Sequence, residues 1–381
     1  MMGQRWLQLI VRFFSSLQLT VVLLISLGVV VFFMTMYQVE TGIYVANQRY
    51  FGEWLIWWES PIGRLPVFVG GGVLGGLLVI NLMVAHFTRF KWTRKKIGLW
   101  LTHIGLLILL IGSGITAILS IESQMMIQEG QTISYSEHLR TMELGVETDH
   151  SPTMNRLVSF PNARLVQGST LTQSSLPFSI QLYRVYPNSR IELNAAVGES
   201  LPKATQGLGK PMTVFPMPVI LRDDYRNQMA IMADVYHRGR MMGRWLLSNG
   251  LDAPQSVTVN GVSYRLFLRA KREYHPYQVR LDRFTQEYYP DTTIPKHFAS
   301  AVTVTDESGQ SHPATIYMNH PLRFGGNTHY QASFGQDGTS TVLQVVSNPG
   351  WWVPYVSTLI MTVGLFIHFG MSLIQARKGR G

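Results

Sequence analysis

The sequence predicts a membrane protein: four transmembrane α-helices, three N-terminal and one C-terminal, with a large exported mainly-β domain between the third and the fourth. Three observations predict it. Four stretches are long and apolar enough to cross a bilayer core, which takes about 20 residues. The basic residues gather on one side of those stretches. Residues 121–350 carry the two-residue alternation of apolar and polar side chains that marks strands. The chain has 381 residues, 46% of them hydrophobic and only 14% charged, so the apolar excess has to be concentrated somewhere.

The first span is expected at about 17–37, "LQLTVVLLISLGVVVFFMTMY". It is too long for the apolar part of a signal peptide and lacks a small-residue cleavage site. The second is expected at about 65–86, the third at about 97–119 and the fourth at about 351–374. They define an N-terminal membrane domain over 1–120, an exported domain over 121–350, and a last helix with a basic tail over 351–381.

Charge gives the orientation. Arg5, Arg12, Arg89, Lys91, Arg94, Lys95, Lys96, Arg377, Lys378 and Arg380 lie on one side of the four spans, with no acidic residue among them. Residues 121–350 carry 20 basic and 19 acidic residues. Nearly all of the net charge of +10 therefore sits on one face, which the positive-inside rule makes cytoplasmic, with both termini inside and the long domain outside. The basic excess reads as topology and contact with the lipid bilayer, with no nucleic-acid partner. There is no cysteine, which excludes disulfides, thiol chemistry and cysteine-ligated metals within this sequence.

Residues 38–64 form an aromatic outer loop, expected as an interfacial helix, in which Trp57 and Trp58 either anchor the loop or line a ligand site. In the exported domain, strands are expected at 177–187, 256–274, 277–290, 300–310 and 340–350. Asn260-Gly261 supplies the positive-φ pair of a tight hairpin. Segments 145–176 and 190–215, rich in Ser, Thr, Gly and Pro, are expected as loops. A β-sandwich is the expected architecture. No nucleotide-binding loop, nucleophile elbow or HExxH motif appears.

Ionisable residues inside apolar spans are costly and so mark functional sites. His103 lies seven residues past Lys96, about 10 Å into the third helix. His86 stands near the same end of the second helix, and His368 in the corresponding half of the fourth. A neutral imidazole is a good axial ligand for haem iron. The competing readings are an interfacial histidine for His86 and a helix-to-helix hydrogen bond for His368. Gly105, Gly112 and Gly114 beside His103 permit close approach of a helix or of a flat ligand.

Several stretches resemble the ResB family of cytochrome c biogenesis proteins, also called CcsB. They are "SSLQLTVVLLISL", "NLMVAHFTRFKWTRKKIGLWLTHIGLLILLIGSGIT", "LDRFTQEYYPDTTIPKHFASAVTVTD", and "MNHPLRFGGNTHYQASF" followed by "VVSNPGWWVPYVSTLIMTVGLFIHF". The last is the most specific; its Pro321 and Gly325-Gly326 set a turn, while Phe324, Tyr330 and Phe334 supply aromatic packing. The resemblance implies a haem-handling subunit of a cytochrome c synthase in the bacterial cytoplasmic membrane. It implies a CcsA (ResC)-like membrane partner, apocytochrome c as the receiving protein, and haem b held transiently. The family's membrane histidine falls on His103, which makes His103 the expected iron ligand, with His86 and His368 as further candidates. Arg323 is a candidate for a haem propionate or for a domain carboxylate, and His320 and His329 are candidate ligands or plain polar residues. The basic cluster from Arg89 to Lys96 sets topology and can also attract propionates. This sequence lacks the tryptophan-rich haem motif of the CcsA partner, so activity is expected only in a complex. The alternative functions are an assembly scaffold that binds exported partners without haem, and a transporter, which the absence of an inverted repeat disfavours.

Overall fold

The computed structural model describes residues 2–89, 93–151, 154–194, 201–222, 225–335 and 338–378. They form two compact units: one of 1–121, 221–223 and 348–381, the other of 122–220 and 224–347.

The first unit is helical. α1 (Met2–Phe14), α2 (Leu17–Thr41) and the short α3 (Ile43–Asn47) come first, and the chain then passes through a π turn at 48–52. β1 (Leu55–Ser60) and β2 (Gly63–Val69) form a hairpin. α4 (Gly71–Arg89), α5 (Ile97–Leu119) and, after the β unit, α6 (Val353–Lys378) complete it. Among the described residues, α2, α4, α5 and α6 are the four helices long and apolar enough to cross a membrane. Their outward faces keep large apolar side chains such as Leu24, Phe32, Ile111 and Phe366 exposed, as a lipid-facing surface does.

Two expectations change here. The outer loop is not one interfacial helix, because Trp57, Trp58 and Glu59 pair with Pro66, Leu65 and Arg64. Aromatic and branched side chains favour that extended pairing, and Gly63, at φ 125°, closes the turn. The second span consequently starts at Gly71, because residues 63–69 are strand.

α5 and α6 approach closely along one face of α5. Gly98, Gly105 and Gly112 are buried and seven residues apart, so they stack on a single stripe. A Cβ on Gly105 would stand 2.6 Å from Met361 and 2.8 Å from the Ser357 carbonyl; one on Gly98 would meet the His368 backbone, and one on Gly112 the Val353 side chain. Gly364 answers from α6, where a Cβ would fall 2.7 Å from the Gly98 carbonyl. Gly105 and Gly112 thus admit a helix, while Gly114 faces open space.

Among the described residues the second unit holds sixteen strands. They are β3 (Ile121–Gln128), β4 (Thr132–Ser151), β5 (Met154–Pro161), β6 (Thr170–Leu171), β7 (Ser179–Tyr186), β8 (Ser189–Leu193), β9 (Met212–Pro216) and β10 (Ala230–His237). There follow β11 (Arg240–Ser248), β12 (Gln255–Val259), β13 (Val262–Tyr288), β14 (Pro295–Thr305), β15 (Ser311–Tyr317), β16 (Leu322–Phe324), β17 (Asn327–Phe334) and β18 (Ser340–Ser347). The main sheet runs β15-β14-β13-β4-β3-β18-β17-β16, with β12 added to β13 and β5 to β4. A second sheet runs β11-β10-β7-β6, and β8 pairs with β9.

β13, 27 residues long, and β4, 20 residues long, serve two cores. Over one half, Leu144, Val146, Leu266 and Leu268 face Ile180, Leu182, Ile231 and Leu247 of the second sheet, which is the expected sandwich. Over the other half the main sheet closes on itself around Met125, Ile127, Val279, Leu281, Val302 and Leu343. Tyr317, at the end of β15, bridges to His320 just before β16.

Three further expectations change. The break anticipated at 275–276 is absent: β13 runs through His275-Pro276, and its register on β4 slips between Tyr274 and Val279, where the missing Pro N–H is tolerated. Segment 145–176 is not all loop, because β4 continues to Ser151 and pairs with β5. Cross-strand ion pairs of Arg265 with Glu147 and Asp149, and of Arg269 with Glu143, hold that polar stretch extended. Segment 190–215 contributes β8 and the start of β9, and its residues 195–200 lie outside the described residues. The Asn260-Gly261 turn forms as expected, with φ of 51° and 81° and Val259 paired to Val262.

Candidate functional site

Two groups of histidines result, one in each unit. In the helical unit, α4 and α5 bring His86 and His103 together, their rings 6.4 Å apart and inclined by 33°. His86 is buried and packs on Trp100 at 4.8 Å. His103 is half-buried, and its Nδ1 lies 2.8 Å from the Leu99 carbonyl one turn back. A carbonyl only accepts, so Nδ1 is the donor of this hydrogen bond. A metal-binding histidine commonly has one ring nitrogen held by a carbonyl in this way. Two imidazoles sharing one metal, at about 2 Å from each ligating nitrogen, have ring centres roughly 6 Å apart. The spacing of this pair is compatible with that, although Trp100 covers one side of His86.

His368 stands on α6, its backbone against Gly98 and its ring edge-on to Phe369 at 5.5 Å. Of the basic cluster, Arg89 donates Nε to Ser15 Oγ at 3.2 Å, and Arg94 and Lys96 flank the turn into α5. Lys91 and the side chain of Lys95 lie outside what is described.

In the β unit, the motif from Met318 to Phe334 is a hairpin. Asn319, at φ 62°, reverses the chain, and the Tyr317 and His320 rings stack at 4.5 Å. Gly325 and Gly326, at φ 56° and 80°, form the two-residue turn between β16 and β17. Arg323 is exposed on β16. Phe324 meets Tyr277 edge-on at 5.2 Å, and Phe334 packs on Phe284 and Phe298. Tyr330, expected to pack with them, points outward instead because β17 alternates its faces.

His329 is fully buried, not a surface residue. The Tyr277 hydroxyl hydrogen-bonds His329 Nε2 at 3.2 Å and accepts from Asn327 Nδ2 at 2.9 Å. Burial pulls His329 down to about 4, against the opposing pull of the Leu322 backbone. Burial likewise pushes Tyr277 up to about 12. The network extends through His275, which stacks on Tyr277 at 5.2 Å and hydrogen-bonds Ser136 Oγ at 2.8 Å; Ser123 Oγ donates to Ser136 Oγ at 2.8 Å. The histidine is neutral under ordinary conditions, and every one of these side chains is held by another strand. Such a cluster fixes the motif in place; it is not an open ligand site. His275 escaped the sequence reading because it looked like the end of a strand.

Residues 253–342 match the ResB-like family, which covers β12 to β17 and with them Tyr277, Asn327 and His329. The chain is similar to Protein NrfI of Wolinella succinogenes, 25% identical over 295 residues that make up 76% of this chain and 29% of that protein. It is also similar to the cytochrome c biogenesis protein CcsB of Crocosphaera subtropica, 33% identical over 76 residues (20% of this chain, 16% of that one). A third relative is the cytochrome c biogenesis protein CcsB of Synechococcus elongatus, 44% identical over 57 residues (15% and 12%). The chain thus spans less than a third of the length of these curated relatives. The similarity is thus to ResB-like proteins: it is carried by the segment that builds most of the buried histidine network, in a chain that also has four membrane-length helices and a mainly β unit among its described residues.

Proposed function

We propose that this chain is a haem-handling membrane subunit in cytochrome c maturation, with His103 as an axial ligand of the haem iron. The observation that supports it most is the state of His103. Its Nδ1 donates to the Leu99 carbonyl, the orientation a backbone acceptor gives a metal-binding histidine, inside a helix that is apolar apart from Thr102, Ser113 and Thr116. The cost of a polar ring at that depth asks for a use. His86, 6.4 Å away on the neighbouring helix, is the second candidate within this chain, and His368 the third. The relatives' names place two of them in cytochrome c biogenesis, which agrees with a haem cargo.

In this reading haem is cargo passed to apocytochrome c together with a CcsA/ResC-like partner, in the cytoplasmic membrane with the β unit on the outer side. The basic residues Arg89, Arg94 and Lys96 attract the propionates, and Arg323 is a propionate contact on the β unit. Thiol reduction is left to another protein, because this sequence has no cysteine.

The test is a visible spectrum of the purified protein, coexpressed with a CcsA-like partner, for wild type and His103→Ala. A b-type haem spectrum that is lost or shifted in the variant supports the assignment. An unchanged spectrum transfers the ligand to His86, His368 or the partner. Haem absent from both proteins, with exported partners still bound, overturns the reading in favour of a scaffold.

A further inference from the structure

α1 plays no part in the proposal above. On a helical wheel Arg5, Gln8 and Arg12 fall on one arc, while Trp6, Ile10, Phe13 and Phe14 fall on the opposite one, with Leu7 and Leu9 at its margins. Trp6, Leu7, Leu9, Ile10 and Phe13 are 51–67% exposed, so this chain does not cover them. Only Val11 and Phe14 are half-buried.

The far end of α1 is tied down. Asn81, fully buried on α4, donates Nδ2 to the Phe14 carbonyl at 2.6 Å and to the Ser16 carbonyl at 3.1 Å, and accepts from Thr20 Oγ1 at 2.6 Å. Arg89 adds its hydrogen bond to Ser15. These bonds satisfy carbonyls released where α1 stops and α2 starts, so the break at Ser15-Ser16 is a fixed corner.

We propose that α1 is an interfacial helix lying in the membrane surface at its own end of α2, with its apolar arc in the acyl boundary and Arg5 and Arg12 on anionic phospholipid headgroups. Only two residues separate α1 from the membrane-length α2, so α1 cannot leave that boundary. Its charges are all basic and lie opposite the apolar arc, which is the pattern of a helix bound to an anionic leaflet. The lock on α4 sets where the helix leaves the bundle.

The absence of cysteine allows single cysteines for spin labels in the full chain. Labels at Trp6, Gln8, Leu9, Ile10 and Phe13 would be read in vesicles of phosphatidylcholine with and without phosphatidylglycerol. The expected result is high oxygen and low nickel-chelate collision at 6, 9, 10 and 13, and the reverse at 8. Adding phosphatidylglycerol should sharpen the contrast at least twofold, and Arg5→Gln with Arg12→Gln should abolish that gain. Nickel access at every position overturns the proposal, because the helix then stands in water. Closure of the apolar positions to both reagents overturns it in favour of a protein partner, and indifference to phosphatidylglycerol refutes the headgroup contact. Asn81→Leu should at least halve the contrast, and Thr20→Val gives a milder cut of the same lock if Asn81→Leu does not fold. A contrast unchanged in both variants refutes the lock.

Discussion

The two units hold their histidines by different means. In the helical unit, His86 and His103 meet because α4 and α5 lie side by side, and the bundle's tightest contact depends on glycines that leave α6 room. In the β unit, His329 and His275 are held by Tyr277, Asn327, Ser136 and Ser123, drawn from four strands. One arrangement sets its rings among apolar helix faces, whereas the other encloses them with hydrogen-bonding side chains. Buried polarity alone therefore does not mark a ligand site. What distinguishes the two is the surroundings: neighbouring helix faces in one, hydrogen-bonding side chains of four strands in the other.

The largest expected effect tests how far the β unit depends on enclosed polar pairs. Asp234 is buried on β10 and receives Arg244 Nε at 2.6 Å and Nη2 at 2.8 Å, with the guanidinium over the Tyr183 ring. Asp234→Ala leaves that cation without its partner and should cost about 3–5 kcal/mol. Urea titration followed by hydrogen exchange of β10 and β11 would show it, and a loss under 1 kcal/mol would mean that Arg244 reaches water.

The pH response comes next. His329 titrates at about 4 when folded, against an ordinary value of 6.5. As pH falls through 6.5 the unfolded chain takes up a proton that the folded chain refuses until about 4. Stability is therefore full above 6.5 and declines towards 4, by about 3 kcal/mol in total. His329→Gln should remove that part of the slope between pH 6.5 and 4, measured as the difference from wild type; parallel pH profiles would contradict the burial argument.

In the helical unit, Gly105→Leu should cost about 1–3 kcal/mol by overpacking against Met361 and Ser357, and Gly114→Leu should be close to neutral. Thermal unfolding in detergent compares them, and equal losses would show that α6 does not lie on that stripe. The smallest effect is expected for Tyr277→Phe, about 1 kcal/mol, from the lost hydroxyl between Asn327 and His329. If it matches Asp234→Ala, the network is a cooperative unit and not a set of separate bonds.

Much of this was legible beforehand. Span length located the four membrane helices, and Asn260-Gly261, Pro321 and Gly325-Gly326 located two turns, because both signals are local. Other elements were hidden for specific reasons. β10, "AIMADVYH", shows no alternation because both its faces are covered: Ile231, Ala233 and Val235 enter one core, and Ala230 and Met232 another. β5 reads as loop because polar residues alternate with its few apolar ones: Ser159 donates to Glu143 and Asn155 to Glu147, while among its described side chains only Phe160 and Val158 join the core. Gly98 and Gly364 carry no sign of their mutual approach, since neither helix alone says which face it turns to the other.

The sequence by itself determined the number and approximate places of the four spans, their charge asymmetry and the place of His103 near the start of the third, because bilayer thickness and the helix rise set how many apolar residues a span needs. Tertiary structure alone decided that His86 stands beside His103, that α6 fills the Gly98–Gly105–Gly112 stripe, and that His329 is sealed under Tyr277. Those are contacts between segments distant in the chain, and they depend on which faces pack together, which no local periodicity specifies.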